Sequence, residues 1–120
     1  MISFLILYKS TVAKKLVRDN YPSLPQPAGK FYSYTKATRQ EFIQALSDKI
    51  VEEALEVKSA IQKKNKKDIK IELADLKEVL EAIQKNLRIK NSDIMSEKIH
   101  KRSKYGGFEK GIMQTEIKNS

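Results

Sequence analysis

Apolar residues recur every three or four positions between 42 and 61, at Phe42, Ile43, Leu46, Ile50, Ala54, Val57, Ala60 and Ile61. This is the period of one helical face, and it predicts a helix over about 38–64. Thr38 stands as its N-cap, with Glu41 three residues later to complete a capping box. A second stripe, Ile69, Leu73, Leu76, Val79, Leu80, Ile83 and Leu87, predicts a helix over about 68–87. Lys63-Lys64-Asn65-Lys66-Lys67 reads as the turn between them, its positive charge suiting the C-terminal end of the first helix dipole. So short a connection implies an antiparallel hairpin. A third, shorter helix is expected to begin after Asn91 or Ser92 and to run to about Lys101, with Gly106-Gly107 closing that region.

Upstream of the hairpin the periodicity dissolves. An apolar run at 2–8 leads into the basic stretch Lys14-Lys15-Leu16-Val17-Arg18-Asp19, then prolines at 22, 25 and 27 and Gly29. No long helix survives that proline spacing. Phe31-Tyr32-Ser33-Tyr34-Thr35 favours extended backbone, as a short strand or an extended arm. A chain of 120 residues builds one core. The expected organisation is an irregular N-terminal segment of the same domain at 1–37, a helical catalytic core at 38–108 and a flexible tail at 109–120. The class is all-α: an antiparallel hairpin plus a shorter third helix, completing a four-helix-type bundle by dimerisation. A long hairpin needs a second pair to bury its other flank, so a homodimer or higher homo-oligomer is expected.

Composition narrows the chemistry. There is no cysteine, which excludes disulfides, thiolate-bound zinc and cysteine catalysis. A lone histidine, His100, argues against an imidazole-rich metal site or a Ser-His-Asp triad, and it reads as a partly exposed polar residue. The run at 2–8 falls far short of the roughly 20 residues that span a bilayer. It also lacks a basic n-region and a small-residue cleavage site, so it reads as a buried strand or the start of the core, and the cytoplasm is the expected location. The net charge of +9 suits an anionic partner without choosing among nucleic acid, a phosphate-rich small molecule and an acidic surface.

Against that positive balance, two acidic clusters lie inside the apolar-periodic stretches: Glu52-Glu53-Ala54-Leu55-Glu56 and Glu72-Leu73-Ala74-Asp75. At roughly 100° per residue, Phe42, Leu46, Val57 and Ala60 fall within about 40° of Glu53, and Glu56 about 60° to one side. On the second helix Leu76, Val79 and Ile83 fall within about 40° of Glu72, and Asp75 about 60° to the same side. In an antiparallel hairpin the two pairs converge. Four carboxylates gathered without a cation repel one another and raise some of their pKa values. Hard oxygen ligands suit Mg²⁺, with Mn²⁺ possible, and both ions accept phosphate oxygens as further ligands. The expected metal ligands are Glu53, Glu56, Glu72 and Asp75, and Glu52, about 100° from Glu53, is placed behind the ligands or on the substrate side.

The spacing E-E-x-x-E followed by E-x-x-D resembles the metal signature of the all-α nucleoside triphosphate pyrophosphohydrolases, the superfamily of MazG and phosphoribosyl-ATP pyrophosphohydrolase. Lys15-Leu16-Val17-Arg18-Asp19 is similar to the K-L-V-R-D opening of the phosphoribosyl-ATP pyrophosphohydrolase-like, house-cleaning branch, and Lys104-Tyr105-Gly106-Gly107-Phe108 to its K-R-G-G-F. The resemblance implies Mg²⁺-dependent cleavage between the α- and β-phosphates of a nucleoside triphosphate or phosphoribosyl-nucleotide, releasing pyrophosphate and the monophosphate. It implies Glu52 and Glu53 as catalytic residues, Lys15, Arg18, Lys104, Gly106 and Gly107 as substrate-binding residues, and a nucleotide as partner. Tyr105 stands where the branch has Arg, and Asn20 where Lys is common, while the extension before K-L-V-R-D is longer than usual. Phe31, Tyr32 and Tyr34 read as packing over the bundle, with base stacking as the other use. The competing reading of the whole chain is a basic helical nucleic-acid-binding module whose binding weakens steeply with salt. A third is a degenerate relative serving in assembly or regulation.

Overall fold

The computed structural model describes residues 14–118, so the apolar run at 2–8 lies outside the described residues. A 3-10 turn at Tyr21–Ser23 precedes three α-helices: α1 (Arg39–Gln62), α2 (Lys66–Asn86) and α3 (Asn91–Tyr105). No strand occurs among the described residues, and the fold is all-α. Segment 31–35 accordingly forms no strand, because an all-helical unit offers no neighbouring strand to satisfy its backbone groups. No described helix is long and apolar enough to cross a membrane.

The capping box expected at α1 is formed. The Thr38 hydroxyl accepts the Glu41 N–H at 3.2 Å, and the Glu41 carboxylate accepts the Thr38 N–H at 3.0 Å. Helix α2 starts at Lys66, ahead of the first apolar position, because Asn65 is the N-cap and its side-chain oxygen accepts the Asp68 N–H at 3.2 Å. Between the helices Lys64 takes a positive φ of 57°, the left-handed conformation that reverses the chain. Arg39, at the start of α1, donates to the Asn86 side chain at 3.4 Å and its carbonyl at 3.3 Å, at the end of α2. The two helices therefore run antiparallel and pack along their length.

Among the described residues, Leu46 and Ala60 from α1 and Val79 from α2 are the buried apolar ones, with Glu53 buried among the polar ones. Other stripe positions stay open: Ala54 and Ile61 on α1, Leu73 and Leu80 on α2, and Leu87 at its C-cap are exposed. Each apolar stripe is wider than the seam that a single facing helix can cover. Packing divides the chain between Leu87 and Arg88. The second unit contains α3, which buries none of its residues and continues to Tyr105, past the expected end near Lys101. It stops where Gly106 adopts a φ of 84° and its N–H closes on the Arg102 carbonyl at 2.8 Å.

Candidate active site

The seam of the hairpin gathers acid. Glu53 from α1 and Glu72 and Asp75 from α2 each offer a carboxylate oxygen, and the three oxygens lie within 4.8 Å of one another. Glu53 is buried because it shares the phase of Leu46 and Ala60, while Glu72 and Asp75 occupy the half-buried edge facing it. The carboxyl of Glu72 is pushed above its ordinary value by loss of water first, then by the charges of Asp75, Glu56, Glu53 and Asp68. Glu56, half-buried, thus belongs to the same acidic field, although the close triad is Glu53, Glu72 and Asp75. An all-carboxylate donor set drawn from two facing helices fits a hard divalent cation.

Cations border the cluster. Arg18 reaches Asp75 with Nη2 to Oδ1 at 2.8 Å, and Lys15 reaches Glu52 at 3.3 Å, so the basic stretch before the prolines lies against the hairpin. Lys49 sits one turn before the first acidic cluster, 3.8 Å from Glu52 and 3.6 Å from Glu53. Its side chain is only 19% exposed. Sequence reasoning passed over Lys49, whose one signal was its position three and four residues before the glutamates.

The C-terminal motif belongs to the second unit. Lys104 places its ammonium 5.3 Å from the centre of the Tyr105 ring, and Gly106 turns the chain out of α3. A Cβ at Gly107 would run into the side chains of Arg102 and Glu109, which pair with each other. The Arg102 guanidinium holds the Glu109 carboxyl below its ordinary value. His100 is exposed on α3.

A helical hairpin with carboxylates converging across its seam and a basic strap on its flank defines an all-α protein equipped to hold a hard metal ion beside an anion. The family model for phosphoribosyl-ATP pyrophosphohydrolase matches residues 23–103, most of the chain, and the protein belongs to that family. It is a hydrolase, a nucleotide pyrophosphohydrolase. The matched span holds both acidic motifs and all three helices except the last two residues of α3, while Lys15, Arg18, Lys104, Gly106 and Gly107 fall outside it. No curated protein and no solved structure matches the chain.

Proposed function

We propose that the protein hydrolyses a nucleoside triphosphate or phosphoribosyl-nucleotide between its α- and β-phosphates with Mg²⁺, or Mn²⁺ in its place. The observation that carries this reading is the convergence of Glu53, Glu72 and Asp75 across the hairpin of a nucleotide pyrophosphohydrolase. These three, joined by Glu56, would hold the cation. When bound, it would offset phosphate charge and lower the pKa of an attacking water.

The remaining work falls to the chain's own groups. Glu52, held by Lys15 and Lys49, accepts a proton from the water as its oxygen attacks the α-phosphorus. The bond from that phosphorus to the bridging oxygen breaks, and pyrophosphate leaves with the electron pair. Lys15 and Arg18 exchange their carboxylate partners for phosphate oxygens, an exchange for which a guanidinium is well suited. The sequence motif implies Lys104, Gly106 and Gly107 as further phosphate-binding residues. The exposed leucines of α2 are covered by a second copy, giving a homodimeric four-helix bundle.

A nucleotide panel with identification of products tests the reaction. Pyrophosphate and a monophosphate should form with Mg²⁺, stop on chelation, and fall by at least about 100-fold in Glu53→Gln, since transition-state charge stabilisation is commonly worth that much. Orthophosphate as the first product, or an unchanged rate in Glu53→Gln, refutes the proposal.

A further inference from the structure

The cations bordering the acidic seam are not held alike. Lys15 on Glu52 and Arg18 on Asp75 are each 64% exposed and belong to the N-terminal strap, where they can turn into water. Lys49 is 19% exposed and belongs to α1 itself, one turn before the glutamates it faces. Its ammonium lies 3.8 Å from Glu52 Oε2 and 3.6 Å from Glu53 Oε1, so one positive charge is shared between two carboxylates. The Glu53 side chain is only 11% exposed. Lys49 therefore accompanies the buried carboxylate of the triad.

A buried carboxylate left without a counter-charge is strongly destabilising, and Glu53 also faces oxygens of Glu72 and Asp75 within 4.8 Å. Lys49 offsets part of that repulsion. Both of its distances exceed the roughly 3.2 Å reach of a good N–H···O bond, so charge and not directed hydrogen bonding ties it to the pair. An ion arriving at the triad breaks no such bond, and the covered side chain has little room to withdraw. Ion and ammonium then share Glu53, and their repulsion subtracts from the affinity of the ion.

We propose that Lys49 is a resident counter-cation of the site: it stabilises the carboxylate seam before the ion binds and lowers the affinity with which the ion is held. The proposal rests on the metal reading above. Its consequence is an exchangeable ion, in a site that survives the ion's release. A lysine that only packed, or only shaped the ligands, would on removal lower stability and metal affinity together, whereas loss of a counter-cation moves them in opposite directions.

Lys49→Met keeps the apolar stem and removes the charge. The test titrates the full chain with Mg²⁺ and with Mn²⁺ by calorimetry, and melts it in chelator and at saturating Mg²⁺. Lys49→Met should bind both ions about 3- to 30-fold more tightly, the effect of removing one positive charge beside a divalent ion in a partly wet site. Its melting temperature in chelator should fall by on the order of 4 °C, and the gap from the parent should narrow at saturating Mg²⁺. Lys49→Gln, which also lacks the charge, should repeat both shifts. Lys49→Arg should stay within about twofold of the parent's affinity, because the charge is kept. Lys85→Met, at an exposed position roughly 15 Å along α2 from Asp75, should also stay within about twofold and controls for net charge.

Ion binding that is weaker or unchanged in both uncharged variants overturns the proposal. So does a melting temperature in chelator equal to the parent's. If Lys49→Met is unfolded in chelator, refolding on addition of Mg²⁺ supports the proposal and failure to refold overturns it. A parent that binds neither ion removes the metal reading itself, whereas a parent that binds both, with unchanged affinity in Lys49→Met, removes only the role of Lys49.

Discussion

Removing the negative charge at Glu72 has two opposite consequences. Its carboxyl is short of water and faces Asp75, Glu56 and Glu53, so the ionised group strains the metal-free hairpin. Glu72→Gln relieves that repulsion and also deletes a proposed ligand. The expected outcome is a metal-free melting temperature higher by on the order of 3 °C at pH 7, together with loss of the rise that Mg²⁺ gives the parent. Scanning calorimetry with chelator and with Mg²⁺ checks both halves. At this scale the sequence was informative wherever phase decides position. Glu53 shares the face of Leu46 and Ala60, and it is buried with them. Lys49 was not legible, since a lysine four residues from a glutamate on a helix is an ordinary solvated pair until the fold hides it. Phe31 went the other way: apolar identity suggested packing, yet it is 95% exposed, while Tyr32 and Tyr34 are half covered.

Among the elements, α1 depends on its first turn. Two hydrogen bonds from Thr38, through its backbone and then its side chain, with the Lys14 ammonium adding to them, hold the Glu41 carboxyl below its ordinary value of 4.5. A carboxyl lowered in the folded state stabilises the fold fully above its unfolded pKa, and that contribution disappears as pH falls through the folded value. The parent should therefore lose this part of its stability as pH falls below about 4.5, whereas Glu41→Ala lacks it throughout, so the two should differ less at pH 3 than at pH 6. Urea midpoints at the two pH values check the prediction. Thr38→Ala should cost about 0.5–2 kcal/mol, the usual penalty for removing an N-cap. The capping box could be read from Thr38 and Glu41 alone. The start of α2 required Asn65 and Asp68 to be seen as a cap of the same kind, a signal obscured by the surrounding lysines. Chain exit from α3 awaited Gly106, because nothing between Lys101 and Tyr105 ends a helix.

For the molecule as a whole, the hairpin buries too little of its own apolar surface. Leu73 and Leu80 on α2 and Leu87 at its C-cap recur at seven-residue intervals, and each remains over 40% exposed. That interval is the seam spacing of packed helices, and a second copy supplies the partner under the proposed assembly. Leu80→Glu should convert a sedimenting dimer into a monomer and lower the melting temperature. A parent that sediments as a monomer at micromolar concentration removes the dimer from the proposal. All-helical architecture followed from two apolar stripes and a scarcity of turn residues, while the dimer, expected from a long hairpin's need for a second pair, stays a proposal that sedimentation decides.

The acidic triad is contained in the 23 residues from Glu53 to Asp75, joined through the turn at Lys64. Its formation needs no long-range closure, so the site has very low contact order and its loop-closure entropy is small. Zipping of the hairpin is thus one local event that preforms the proposed ion site. Under the proposed metal binding, a change at the turn around Lys64 should lower the apparent metal affinity only by the fraction of the metal-free hairpin that it unfolds.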